Sequence, residues 1–107
     1  YGRAALEKLR VWSSVEGKTA RAENVRAALM LVSRGEAPFG MVYRTDAMAD
    51  KGVKVVDTFP PDTYPPIVYP AALLAASRST AARALLTYLR SAPAGAVWEK
   101  YGFGVVQ

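Results

Sequence analysis

The stretch from Ala22 to Gly35 carries its own start and stop signals, and it constrains the chain more than any other feature. Asn24 suits an N-cap, because its side-chain oxygen can accept from a free backbone N–H one turn on. Val25, Ala28, Leu29 and Val32 then fall at i, i+3, i+4 and i+7, one apolar stripe for burial. Arg34 stands in the last turn, where a cation complements the helix dipole, and Gly35 suits a left-handed stop. With Asn24 as the cap, Val25 is the first helical residue, and its N–H has no acceptor inside the helix. That N–H points into the positive end of the dipole, a place for an anion. Water or Asn24 satisfies such groups at most helix starts, so the stretch by itself leaves both readings open.

A chain of 107 residues has room for one domain and a modest core. An apolar fraction of 51% and an aromatic fraction of 10% argue against disorder. No window holds about 18 uninterrupted apolar residues, so no helical membrane span is expected. The absence of Cys removes disulfide and thiolate chemistry, and fits an oxidising or a reducing compartment equally. The absence of His removes serine–histidine triads and His-ligated metals. The net charge of +5 is spread over scattered cations, which reads as a solvated basic surface and not as a nucleic-acid footprint. The chain starts without Met, at Tyr1-Gly2-Arg3-Ala4-Ala5-Leu6, a segment already helical in character. A fragment or a processed chain is therefore expected.

Residues 3–12 are expected to form a helix with Ala5, Leu6, Leu9 and Trp12 inward, ended by Ser13 to Gly17. Lys18-Thr19-Ala20 has the length of an edge strand at most. After the helix of the organising stretch, Pro38 forces a tight connection. Phe39 to Tyr43 is a near-continuous apolar run, expected as a strand buried on both faces. A short helix follows over Arg44–Asp50, with Thr45 as its cap. Val53 to Phe59 is β-branched and reads as the clearest strand. Pro60 to Pro66 is a stiff loop, and Ile67 to Ala75 a strand that Pro70 interrupts. Ser79 or Thr80 caps a helix through Arg90 with Ala82, Leu85, Leu86 and Leu89 as its stripe. Pro93 opens a last helix holding Val97, Trp98 and Tyr101, and Gly102 to Val106 is a short extended tail. The order alternates helix and strand, which predicts an α/β fold with a parallel component.

Catalysis finds little support. Asp46 and Asp50 are the carboxylates at helical spacing, on a short helix where a solvated face is expected. No glycine-rich phosphate loop exists, and no Ser or Lys has an evident activator. Tyr43 ends its predicted strand, where open α/β sheets place a ligand crevice. A phenol there can donate one hydrogen bond from an apolar wall, although a tyrosine of the core or rim fits the sequence too. Tyr64, Tyr69, Tyr88, Trp98 and Tyr101 read as packing residues.

Three blocks taken together give the chain a family likeness. One is Glu23 to Val32 with Arg34-Gly35-Glu36-Ala37-Pro38-Phe39-Gly40-Met41-Val42-Tyr43. The next is Thr45-Asp46-Ala47 with Lys51 to Val56 and Thr58-Phe59-Pro60. The last is Tyr69-Pro70 with Lys100-Tyr101-Gly102-Phe103. The combination resembles the periplasmic molybdate-binding proteins of ABC importers, and the likeness runs over the whole chain.

The resemblance implies a type II periplasmic binding fold: two α/β lobes that close on a tetrahedral oxyanion. This chain looks like the second lobe plus the tail that returns to the first. Residues 1–68 would carry half of the anion site, and residues 69–107 a hinge strand and the C-terminal helices. In the family, contacts come from two serines and an alanine in the earlier part, a valine N–H at a helix start and a tyrosine hydroxyl. Val25 and Tyr43 match the last two, with Asn24 as the supporting cap; Ser13, Ser14 and Ser33 do not match the serine motifs. The implied ligand is molybdate or tungstate, held by neutral donors, with no bare-cation metal site and no cofactor. The implied partners are a membrane ABC permease and the missing N-terminal lobe; the implied location is the periplasm. Two neutral hydrogen bonds contribute about 1 kcal/mol each, against about 8 kcal/mol for a micromolar site. Without the opposite wall, binding should therefore collapse, and uncovered apolar surface should favour a homo-oligomer or domain-swapped dimer. The alternative is an effector-binding module of a transcription regulator of the same fold. A basic domain for nucleic acid is the least supported of the three readings.

Overall fold

In the computed structural model, which describes residues 1–105, six helices are joined by two 3₁₀ turns and irregular segments. The chain divides into two compact units, Tyr1–Ile67 and Val68–Gln107.

The first unit opens with α1 (Gly2–Lys8) and α2 (Trp12–Val15), followed by a 3₁₀ turn at Glu16–Lys18. The single helix expected over residues 3–12 is thus broken. Leu9 is the C-cap of α1, and Arg10 adopts a left-handed φ of 61°. The Arg10 N–H donates to the Glu7 carbonyl and the Val11 N–H to the Leu6 carbonyl, each at 2.9 Å. This paired closure satisfies two carbonyls that a helix end otherwise leaves open. The expected stop at Ser13–Gly17 is displaced, since Ser13 and Ser14 lie inside α2 and Lys18 ends the 3₁₀ turn.

α3 (Val25–Ser33) begins and ends where its residues dictate. Asn24 is extended and its Oδ1 accepts from the Ala27 N–H at 3.0 Å. Gly35 takes a φ of 73°, and the Gly35 and Glu36 N–H groups close onto the Val32 and Leu31 carbonyls. Leu29 is buried, and Val25, Ala28 and Val32 are half-buried, as the stripe requires. α4 (Arg44–Ala49) packs against α3. Its cap is Tyr43 and not Thr45: the Tyr43 carbonyl accepts from the N–H groups of Asp46 and Ala47, so Thr45 is already helical. Asp50 then accepts from the Gly52 N–H at 2.7 Å and from Ser33 Oγ at 3.3 Å, tying the end of α3 to the turn after α4.

The second unit contains α5 (Thr80–Leu89) and α6 (Ala92–Lys100), which pack on each other. Ser79 and Ser91 cap them, accepting from Ala82 and Ala94 N–H. The Nε1–H of Trp98 donates to the Leu89 carbonyl at 3.1 Å, so α6 closes the end of α5. Leu85, assigned to the α5 stripe, is 57% exposed; Ala82, Leu86 and Leu89 are half-buried. Tyr88 and Tyr101, expected as packing residues, are exposed as well. Gly102 repeats the left-handed stop with a φ of 87°, and Phe103 folds back with its ring 6.2 Å from that of Trp98. Val106, counted in the extended tail, lies outside the described residues.

No strand occurs among the described residues. Residues 39–43, 53–59 and 67–75, all expected as strands, run without a ladder, and Lys18-Thr19-Ala20 forms no edge strand. The run at Phe39 is not buried on both faces, because Phe39 is 75% exposed. A strand needs a neighbouring strand to pair with, and these segments form no ladder among the described residues. The core is correspondingly small. Ala5, Leu29 and Ala94 are the buried apolar residues among those described, while Val56 and Leu74 stand 74% and 81% exposed.

Candidate functional site

Val25 is the first residue of α3, with Asn24 as its cap. Of the first-turn amides, that of Ala27 is taken by Asn24 Oδ1, and that of Ala28 by the Asn24 carbonyl at 3.1 Å. The N–H groups of Val25 and Arg26 precede the first helical acceptor and point along the axis, toward where an anion would sit. The sequence derivation of this helix start therefore holds in detail. Neither its use nor a ligand follows from capping alone.

Tyr43 is half-buried at the junction between the irregular run 39–43 and α4. Its main chain caps α4, and its ring meets that of Tyr1 at 6.2 Å, tilted by 59°. Tyr1 in turn meets Tyr64 edge-on at 6.4 Å. Three tyrosines from separate parts of the first unit therefore form a row. Sequence reasoning singled out Tyr43, assigned Tyr64 to packing and passed over Tyr1. Their spacing follows no helical or strand period, so no local signal joins them.

Gly40 governs how closely the run before Tyr43 approaches α3. A Cβ at this position would lie 2.6 Å from Val32 Cγ2, so only a glycine lets the backbone come this near. Gly2 plays a milder form of the same part, with a Cβ there 3.0 Å from Met41 Sδ.

Among the described residues no group of three His, Cys, Asp or Glu side chains is placed to hold a metal ion. Asp46 lies in the first turn of α4, where a negative charge complements the dipole; Asp50 is engaged by Ser33 and Gly52. Two shallow hollows lie in the second unit, one lined by Leu86, Thr87, Arg90 and Ser91, the other reaching from Arg90 to Glu99 and Val105. Neither is lined by Val25 or Tyr43. Among the charged groups, Arg3 has its pKa raised by the hydrogen bond from its Nε to Glu7 and then by the charge of Glu7. No helix among the described residues is long and apolar enough to cross a membrane.

The family model for bacterial extracellular solute-binding proteins matches residues 1–104. The chain belongs to this family. Among curated relatives, the molybdate-binding protein ModA of Escherichia coli K12 is 44% identical over 105 residues, covering 98% of this chain and 41% of ModA. The molybdate-binding protein ModA of Haemophilus influenzae is 44% identical over 103 residues, covering 96% of this chain and 41% of that protein. A putative ABC transporter substrate-binding lipoprotein, YvgL of Bacillus subtilis 168, is 39% identical over 104 residues, covering 96% and 40%. The chain thus spans about two fifths of the length of the curated relatives it matches.

Proposed function

We propose that this solute-binding chain is part of the receptor of a molybdate or tungstate ABC importer. It would work outside the cytoplasmic membrane, in the periplasm, and pass its anion to a membrane permease. The observation that carries the reading is the 44% identity, over nearly the whole chain, to two proteins named for molybdate binding. The function is binding and release, with no bond made or broken and no cofactor.

In this reading the Val25 N–H and the Tyr43 hydroxyl donate to two oxygens of a tetrahedral oxyanion, and Asn24 holds the start of α3 open for it. The α3 geometry supports the first role, because Asn24 uses the Ala27 amide and leaves that of Val25 in front of the helix. Neutral donors in fixed places select by size and shape, because the fit of the oxygens and not the total charge decides the affinity. Residues 1–68 carry half of this site. Residues 69–107 supply a hinge and the C-terminal helices of a two-lobe α/β fold, and the first lobe supplies the opposite wall and the remaining donors.

Calorimetric titration of sodium molybdate into wild type and Tyr43→Phe, each with its native flanking sequence, tests this. A hydrogen bond to a charged acceptor is worth about 1.5–3 kcal/mol, so loss of the phenol should weaken binding by about tenfold or more. Equal affinity for the two proteins would remove Tyr43 from the site. The absence of any heat with molybdate and with tungstate, from folded wild type, would overturn the ligand assignment.

A further inference from the structure

We infer that Tyr1 is a positioning residue for the Tyr43 hydroxyl, with Tyr64 as its support. This rests on the reading of Tyr43 as an oxyanion donor. Tyr43 emerges from a run with no ladder, and capping of α4 fixes its main chain and not its side-chain torsions. A phenol so placed is aimed only as well as its ring is held. The Tyr1 ring lies 6.2 Å away at 59°, within the range of attractive aromatic pairs. Tyr1 also meets Tyr64 at 6.4 Å and 76°, edge to face.

Tyr1 and Tyr64 are both anchored. The Tyr1 carbonyl accepts from the Ala5 N–H at 2.9 Å, and Ala5 is fully buried. α1 packs on the 3₁₀ turn Pro61–Thr63, which leads directly into Tyr64. Thr63 in that turn is buried, and its N–H and Oγ1 both donate to the Pro60 carbonyl, at 3.0 and 2.6 Å. The docking of α1 on this turn thus fixes Tyr1 relative to Tyr64, and Tyr1 then limits how the Tyr43 ring can turn. Tyr1 is itself 52% exposed, so its ring adds little to the buried core, while it meets the rings of both other tyrosines.

The experiment is calorimetric titration of molybdate into Tyr1→Phe, Tyr1→Leu, Tyr43→Phe and the Tyr1→Leu/Tyr43→Phe double variant, each with native flanking sequence. Tyr1→Leu should weaken binding about threefold to tenfold, the worth of one aromatic pair. Tyr1→Phe, which keeps the ring, should restore wild-type affinity. In the Tyr43→Phe background the Leu substitution should cost nothing, because the group it aims is gone. A loss in Tyr1→Phe equal to that in Tyr1→Leu would overturn the inference, since the Tyr1 hydroxyl would then be acting. So would an equal cost of Tyr1→Leu in both backgrounds, or no cost in the wild-type background while Tyr43→Phe weakens binding. Wild-type affinity in Tyr43→Phe would instead defeat the reading of Tyr43, and this inference with it. Should Tyr1→Leu not fold, Tyr64→Leu cuts the row at its far end and is scored by the same criteria.

Discussion

Gly40→Ala is a one-atom change whose consequence can be worked out from distances. The new Cβ would stand 2.6 Å from Val32 Cγ2 and 3.9 Å from both Val32 Cβ and the Ala28 carbonyl oxygen. Carbon atoms rest at about 3.5–4.0 Å, so the overlap is about 1 Å, and it falls on one methyl group. A β-branched side chain on a helix has one strongly preferred rotamer, and Val32 cannot swing aside at little cost. The run 39–43 must retreat from α3 instead. Overpacking of this kind costs about 1–3 kcal/mol, and the entropy Gly loses on folding returns about 0.4–1 kcal/mol of it. The net expectation is a destabilisation of about 1–2 kcal/mol, read as a lower urea midpoint by circular dichroism with an unchanged slope. Val32→Ala removes the offending methyl and leaves the 3.9 Å contact, which is ordinary. In that background Gly40→Ala should cost less than about 0.5 kcal/mol. A full cost in the Val32→Ala background, or no cost in wild type, would refute the close-approach argument.

Three further outcomes follow from the helix ends. Arg10 holds the left-handed position that Gly35 and Gly102 hold after α3 and α6. An L-residue there costs about 1–2 kcal/mol and a glycine about 0.5–1 kcal/mol in unfolded-state entropy, so Arg10→Gly should stabilise by about 0.5–1 kcal/mol in thermal or urea unfolding. Asp50→Ala removes the acceptor of both Gly52 N–H and Ser33 Oγ, and should cost about 1–2 kcal/mol in the same assay. Trp98→Phe keeps a ring beside Phe103 but deletes the donor to the Leu89 carbonyl; a loss of about 0.5–1.5 kcal/mol is expected, with faster hydrogen exchange in the last turn of α5.

What the sequence made legible was local. Asn24 and Ser79 cap because a side-chain oxygen meets an N–H three residues on, and Gly35 stops α3 because the left-handed turn closes onto carbonyls three and five residues back. Each of these is decided within one or two turns of chain, and so is the open N–H of Val25. Arg10 escaped notice because nothing in its residue type marks a left-handed stop; the break in α1 comes from the closure onto Leu6 and Glu7. The strands failed for a different reason. Val53 to Phe59 has the composition of a strand, but composition supplies no partner, and exposed Val56 shows the consequence. The tyrosine row lay beyond reach for the same cause, since Tyr1 meets Tyr64 through the docking of α1 on a turn some sixty residues away, and Tyr43 lies some forty residues from Tyr1 in the chain.

The same distinction bears on the proposed site. In that proposal Val25 and Tyr43 supply two donors. Even at the upper value for hydrogen bonds to a charged group, about 3 kcal/mol each, they supply about 6 kcal/mol. A helix start adds about 0.3–1 kcal/mol. Micromolar binding needs about 8 kcal/mol net, after the freedom lost by the anion has been met. Two well-placed donors therefore fall short by about 1 kcal/mol at best, and by much more at ordinary hydrogen-bond values. A selective receptor built on this half-site has to draw its remaining donors from a facing wall. That makes the aim of the Tyr43 phenol worth fixing with a row of rings: when two surfaces close on one anion, a donor that wanders loses its bond and spoils the fit of the other donors with it.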